Sequence, residues 1–146
     1  MTGVQTCALP IYERFEQIGG LFRAALARLG IDAQLGSVPD EYCPGKHSLN
    51  VDNRVKLVGT AQRIIKGGWM FGAGIVCERP TAIRDVLTDV YAALGLAFDP
   101  TSVAATQELS PIADTGALEA ALLETLYEQL DVDHDRSQHL DHLLRP

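Results

Sequence analysis

One segment of the sequence, residues 55–63, constrains the fold more than any other. It reads Val-Lys-Leu-Val-Gly-Thr-Ala-Gln-Arg, so a single amine, Lys56, stands among apolar residues and is followed by the small residues Gly59, Thr60 and Ala61. Branched apolar residues favour a β-strand, and small residues in a strand leave its backbone open to the close approach of a ligand. The segment therefore predicts a strand that carries one amine beside a ligand-binding surface.

Helical periodicity flanks this strand on both sides. Apolar residues recur at intervals of three and four over residues 12–29, and Gly30 supplies a left-handed stop. A second helix is predicted from Pro80 until Gly95 ends it, and a third, packing on the sheet, over residues 115–130. Inside the first helix, the adjacent pair Gly19 and Gly20 indicates close packing, because glycine weakens a helix.

Apolar segments separated by turn residues predict a sheet. Asp52 and Asn53 suit a hairpin turn, and the prolines of residues 39–45 keep that segment in a loop. Residues 67–74 are glycine-rich and lead into a last strand, whereas residues 98–110 are expected to be irregular. The pattern predicts an α+β fold in which two or three helices pack on a mixed or antiparallel β-sheet. The predicted strands are residues 31–38, 48–51, 55–65 and 74–77.

Composition excludes several classes of protein. A chain of 146 residues suits one domain, and its net charge of -7 argues against a nucleic-acid surface, which needs clustered lysine and arginine. No apolar run approaches the roughly 18 residues of a membrane helix. The three cysteines are widely spaced and include no Cys-x-x-Cys pair, so neither a disulfide framework nor a zinc ribbon is expected. A reducing, cytoplasmic location fits this pattern.

The lysine segment, together with residues 39–50 (Pro-Asp-Glu-Tyr-Cys-Pro-Gly-Lys-His-Ser-Leu-Asn), resembles a known family. It is similar to the lipoate-protein ligases and octanoyltransferases, which share the biotin/lipoate ligase catalytic domain. Their lysine motif runs roughly Lys-x-x-Gly-x-Ala-x-Arg, and the residues that match it are Lys56, Gly59, Ala61 and Arg63. The resemblance spans residues 12–110, which correspond to the second half of the family's catalytic domain. A C-terminal helical segment, residues 111–146, would follow it.

The resemblance implies that the protein attaches lipoate or octanoate to a lysine of a lipoyl carrier domain in 2-oxoacid dehydrogenase or glycine cleavage complexes. It implies two catalytic candidates. Lys56 would stabilise the charge that grows as an acyl adenylate forms from ATP, with Mg²⁺, in the ligase branch. Cys43 would instead take octanoate as a thioester and pass it to the amine of the acceptor lysine, in the branch that works without ATP. The sequence leaves the choice between them open.

Small residues of the lysine strand and of the glycine-rich segment are the candidates for substrate contact, and Trp69, Met70 and Phe71 would supply an apolar wall. The family commonly carries a histidine before a glycine in this region, whereas this chain has Phe71 before Gly72. The departure keeps a second hypothesis open, a non-catalytic ligase-like module that binds lipoyl carriers or acyl groups. A third is an unrelated α+β domain. The predicted substrate-binding residues are Gly59, Thr60, Ala61, Gly72 and Gly74.

The two ends of the chain are set apart from the candidate site. Residues 1–11 carry no charge and look like a translated sequencing-library primer, so they are expected to be a non-native leader in which Cys7 has no function. Residues 131–146 are rich in aspartate and histidine. They do not match the pattern of a calcium-binding loop, because Arg136 stands where the turn needs glycine and His142 where a glutamate ligand belongs. We expect a solvated acidic tail and no metal.

The resemblance predicts a sheet truncated on its N-terminal side, without the Arg-Arg-x-x-Gly-Gly-Gly stretch that cradles the lipoyl adenylate in the family. We expect the isolated 146-residue chain to be poorly soluble and inactive, because such a truncation exposes strand edges and apolar surface. The measurements are the soluble fraction after expression and the acylation of a lipoyl carrier domain. Robust acyl transfer by the isolated chain would contradict the prediction.

Overall fold

A single antiparallel sheet and four helices make up residues 11–130, the part of the chain that the computed structural model describes. The sheet has four strands in the order β1-β2-β3-β4, so the predicted α+β class is confirmed. No helix within the described residues has both the length and the apolar character that a membrane crossing requires. The elements are α1 (Ile11–Arg28), β1 (Gln34–Leu35), β2 (Leu49–Val51), β3 (Val55–Ile65), β4 (Gly68–Ile75), α2 (Pro80–Leu94), a 3-10 turn (Pro100–Ser102), α3 (Thr106–Leu109) and α4 (Thr115–Leu130).

Helix α1 ends at the glycine that the sequence marks as its stop. Gly30 has a φ of 78°, in the left-handed region that favours glycine. Its backbone N–H donates to the carbonyl of Ala27 at 3.0 Å, and the N–H of Ile31 donates to the carbonyl of Leu26 at 3.0 Å. These two bonds form a Schellman motif, which satisfies carbonyls that the helix end would otherwise leave unpaired.

Helix α4 packs mainly on α1, not on the sheet as predicted. Its Leu118 and Ala121 are buried, and Arg28 of α1 forms ion pairs with Glu124 and Glu128 of α4. The sheet contributes side chains to the same core from its α1-facing side. The buried core cluster is Ala25, Leu26, Leu29, Ile31, Ala33, Leu49, Leu57, Val58, Ala104, Ala113, Leu118 and Ala121.

The hairpin between β2 and β3 is confirmed. Asp52 and Asn53 have φ values of 56° and 53°, and the N–H of Arg54 donates to the carbonyl of Val51 at 3.0 Å. Two consecutive left-handed residues are typical of a type I′ turn, whose twist matches that of the two strands it joins.

Strand β4 differs from the prediction. The glycine-rich segment expected to lead into a strand at residues 74–77 is itself the strand, and it pairs with β3 from Gly68, opposite Ile65, to Ile75, opposite Val58. Glycine has a low intrinsic preference for strands, so the pairing with β3 decides this segment's conformation. As a result β4 is an edge strand of the described sheet.

Helix α2 begins at Pro80 and ends before Gly95, as predicted. The apolar face that predicts this helix is nevertheless exposed: Val86 and Leu94 are 61% and 64% accessible. Residues 98–110, expected to be irregular, contain the 3-10 turn and α3. Here Arg84 of α2 donates to the carbonyl of Val103 and pairs with Glu108 of α3, so α2 is tied to the segment that follows it.

The two adjacent glycines of α1 are expected to respond oppositely to alanine. A Cβ on Gly19 would lie 2.8 Å from Leu35 Cδ2, whereas a Cβ on Gly20 would meet nothing within 4 Å. We expect Gly20→Ala to raise the free energy of unfolding by up to about 1 kcal/mol, through helix propensity. Gly19→Ala should give no gain, because Leu35 must move. Urea unfolding of both variants tests this, and equal gains would contradict it.

Candidate functional site

Lys56 is buried, with a side chain only 1% exposed. Its Nζ donates hydrogen bonds to the carbonyl oxygens of Tyr42 and Cys43, at 2.8 and 2.7 Å, and lies 3.6 Å from Oε1 of Glu41. Nζ also lies 4.6 Å from the centroid of the Tyr42 ring. Three oxygen partners match the three protons of an ammonium group, so the loop of residues 39–45 encloses the charged form of the side chain.

Glu41 balances this charge and shapes the loop, and the sequence analysis did not assign it a role. Its carboxylate is buried and accepts the N–H of Val38 at 3.2 Å and the N–H of Gly45 at 3.0 Å. One side chain thereby ties both ends of the loop to the cation on β3. The available signal was the adjacent acids Asp40 and Glu41, in a proline-bounded loop upstream of the strand that carries the lysine.

Burial has the largest effect on the titration of this cluster. Burial lowers the pKa of the Lys56 ammonium below its usual value, while the negative charges of Glu41 and Cys43 act in the opposite direction. Burial raises the pKa of the Tyr42 phenol, and the same two negative charges add to that increase. The cluster therefore holds one cation against one permanent anion in a poorly solvated place.

A β-bulge explains the spacing between Lys56 and Gly59. Residues three apart on a regular strand point to opposite faces of the sheet. Here Leu49 pairs with Val58 and Asn50 with Lys56, so Leu57 is the extra residue, and both Leu57 and Val58 are buried in the core. The bulge brings Gly59 to the Lys56 face, where a Cβ on Gly59 would lie 3.5 Å from Lys56 Cε.

Four of the five predicted substrate-binding residues come together beside Lys56. Gly59 pairs with Gly74 and Ala61 with Gly72 across the β3–β4 ladder, so the four share one face. A Cβ at Gly72 or Gly74 would meet nothing within 4 Å. The result is a floor of small residues, open above β4, that extends from the buried amine. Thr60 alternates to the opposite face.

Cys43 lies on the exposed side of the loop, at a concavity of about 300 Å³. Thr60 is part of the same concavity, and its hydroxyl donates to the carbonyl of His47 at 2.9 Å. The His47 ring stacks on Phe15 at 4.5 Å. The residues lining the concavity are Phe15, Cys43, Pro44, Gly45, Lys46, His47, Ser48 and Thr60.

The backbone N–H and the backbone carbonyl of Cys43 each form a hydrogen bond with a side chain. Its N–H donates to the Tyr91 hydroxyl at 2.7 Å, and its carbonyl accepts from Lys56. Cys43 has a φ of 43°, a left-handed conformation that costs a residue other than glycine about 1–3 kcal/mol. Tyr91, which the sequence analysis treated only as part of a helix face, is therefore a member of the site.

The predicted apolar wall lies elsewhere. Trp69 and Phe71 line a cavity of about 460 Å³ between α1, β4 and α4, on the face opposite Gly72 and Gly74. The guanidinium of Arg14 lies 5.0 Å from the centroid of the Trp69 ring. Met70 is 64% exposed. The strand alternation that β4 adopts separates Trp69 and Phe71 from the small-residue floor, whereas Met70 shares the face of Gly72 and Gly74.

Structural comparisons find the same fold in ligases. A proposed lipoate protein ligase from T. acidophilum aligns with a TM-score of 0.65 and 19% identity, over 88% of this chain and 48% of that one. The same protein with bound lipoic acid gives a TM-score of 0.67 at 19% identity, covering 88% and 49%. A lipoate-protein ligase A bound with ATP gives 0.63 at 21% identity, again covering 88% and 49%.

The chain has the fold of lipoate-protein ligases. It spans about half the length of these structures, 48% to 49%. No protein-family profile and no curated protein matches the sequence. Within this fold, Lys56 contacts both the small-residue floor, at Gly59, and the Cys43 loop. The cysteines and histidines of residues 1–10 and 131–146 lie outside the described residues.

The buried pair of Lys56 and Glu41 is expected to show strong coupling in stability. Glu41→Leu leaves a buried ammonium without its anion, which costs about 3–5 kcal/mol. Adding Lys56→Met removes the stranded charge, so the double variant should be more stable than Glu41→Leu alone. Denaturant unfolding measures this, with the exposed Glu119→Leu as a control near zero. A double variant that is less stable than the single one would contradict the prediction.

Proposed function

We propose that the protein is an acyltransferase of the lipoate-ligase type, in which Cys43 carries an octanoyl or lipoyl group as a thioester before its transfer to a lysine of a lipoyl carrier domain. The observation that carries the proposal is the state of Cys43. An exposed thiol at a concavity has a strained backbone, and the buried Lys56 ammonium holds its carbonyl. Strained residues of this kind cluster at functional sites.

The accessibility of the two catalytic candidates favours Cys43 as the group that meets the acyl donor. A nucleophile must touch the carbonyl that it attacks. Lys56 is 1% exposed and is enclosed by three oxygens, whereas the Cys43 side chain faces solvent. In this conformation the amine supports the loop and the thiol is the reactive group.

The proposed reaction has two acyl transfers. The Cys43 thiolate attacks the carbonyl carbon of an octanoyl or lipoyl thioester, a C–S bond forms to Sγ, and the donor thiol leaves with a proton. The lysine amine of the carrier domain then attacks the new thioester, an amide forms, and the Cys43 thiol is regenerated with the proton that the amine loses. No oxidant, reductant or nucleotide enters the balance.

Lys56 has a supporting role in this scheme. Its ammonium group donates to the carbonyl of Cys43. From there its charge stabilises negative charge on the sulfur and on the reacting acyl oxygen. Glu41 keeps the amine in place through Oε1 and the loop closed through the backbone N–H groups of Val38 and Gly45. The concavity beside the Cys43 thiol, which Phe15, His47 and Thr60 help to line, leaves room for the substrate chain.

A second candidate is ATP-dependent lipoate ligation. It is favoured by the two structural neighbours that hold lipoic acid and ATP, and it gives Lys56 the direct role at the acyl carbonyl and α-phosphate, with Mg²⁺ beside the nucleotide. This route requires the Lys56 amine to break its hydrogen bonds to the carbonyls of Tyr42 and Cys43, because it now donates to both.

For either route we propose carrier domains of 2-oxoacid dehydrogenase or glycine cleavage complexes as acceptors, and the cytoplasm as the location. The reducing cytoplasm suits an exposed, unpaired thiol at position 43. An exposed Cys43 suits such an acceptor, because the reacting amine must reach a thioester that stays attached to the enzyme.

The two routes are separated by variants of the full product of the native gene. Supplied with an octanoyl thioester and a lipoyl carrier domain, Cys43→Ser should abolish transfer, Lys56→Ala should lower it by about 100-fold, and Lys66→Ala, an exposed control, should leave it unchanged. Mass spectrometry of the carrier domain measures the product.

The opposite pattern identifies the ligase route. If lipoate and ATP support acylation, with Lys56→Ala abolishing acyl-adenylate formation and Cys43→Ser sparing it, then ATP-dependent ligation replaces the thioester proposal. If a folded full gene product acylates no carrier domain with either donor, the acyltransferase proposal is wrong.

A further inference from the structure

The hydroxyl of Tyr91 lies 2.7 Å from the backbone nitrogen of Cys43 and accepts its N–H. Tyr91 belongs to α2, and the contact joins residues 48 positions apart in the sequence. The proposed acyl transfer gives this hydroxyl no role.

Attack of a thiolate on a thioester carbonyl creates a tetrahedral intermediate with a negatively charged oxygen. Enzymes that transfer acyl groups stabilise this oxyanion with fixed donors, and the backbone N–H of the nucleophile is one of the donors they use. An oxyanion needs hydrogen-bond donors, and the N–H is the one donor on the backbone of Cys43, whose carbonyl accepts from Lys56. That N–H now points at Tyr91.

We infer that Tyr91 is a catalytic residue, whose hydroxyl and the N–H of Cys43 together form the oxyanion site. A phenol both accepts and donates a hydrogen bond. Before attack, its oxygen occupies the acceptor position beside the N–H. When the acyl oxygen arrives there, the phenol oxygen gives up that position and its O–H donates to the oxyanion. This inference rests on the proposed thioester function.

The structure holds the Tyr91 ring close to this place. The ring packs against Phe98 with centroids 5.0 Å apart, and the N–H of Asp99 donates to the carbonyl of Asp40 in the Cys43 loop at 2.9 Å. The segment after α2 is thus bonded to the same loop that the phenol contacts. These contacts keep the phenol beside the Cys43 N–H, where its O–H can turn to donate to an acyl oxygen that arrives there.

The test compares two reactions of the same thiol. Acylation of Cys43 by p-nitrophenyl octanoate passes through a tetrahedral oxyanion and releases nitrophenolate, whereas alkylation by iodoacetamide displaces iodide without forming one. We expect Tyr91→Phe to slow acylation by about 100-fold and to leave alkylation within about twofold of wild type. Nitrophenolate absorbance and mass spectrometry of the Cys43 peptide follow the two rates, with Tyr127→Phe on α4 as the control.

Three results would overturn the inference. Equal slowing of both reactions would make Tyr91 a structural support of the loop, and unchanged acylation would remove it from the reaction. Absence of octanoylation on Cys43 of the wild-type full gene product would also count against it. Failure of the thioester function itself is recognised separately, because Cys43→Ser would then still acylate the carrier domain. The ratio of the acylation rate to the alkylation rate in Tyr91→Phe does not depend on that result.

Discussion

The structure around the candidate site depends on one buried ammonium. Removing a charge from water costs several kcal/mol unless an opposite charge and hydrogen bonds replace the solvent. Around Lys56 that replacement comes from the carboxylate of Glu41 and the carbonyls of Tyr42 and Cys43. Because the loop supplies all three partners, its conformation and the burial of the amine determine each other. Cys43 is placed as a consequence.

The second constraint is the bulge in β3. It keeps Leu57 and Val58 together in the core, and it moves Gly59 to the face of Lys56. A regular strand could not place the amine beside a glycine three residues away. From that point, normal alternation and pairing with β4 add Ala61, Gly72 and Gly74 to the same face. One irregular residue thus joins the cation to the small-residue floor.

Local features of the fold were predictable from the sequence, since Gly30, Pro80 and the pair Asp52 and Asn53 act through their own backbone preferences. Strand β4 was not, because its glycines carry no strand signal and only pairing with β3 makes it one. The site was predictable where a motif lies on one strand. The contact of Tyr91 with Cys43 was not, because it joins elements 48 residues apart.

The convergence of two distant elements on the backbone of one residue argues that Cys43 is more than a surface residue. A left-handed cysteine is strained by about 1–3 kcal/mol, and a hydrogen bond contributes only about 1 kcal/mol on average. Tyr91 from α2 and Lys56 from β3 are both needed to offset that strain. A loop without function could relax to an ordinary conformation and avoid it. Strain held from both sides, at an exposed thiol, is the arrangement expected of a nucleophile positioned before its substrate arrives.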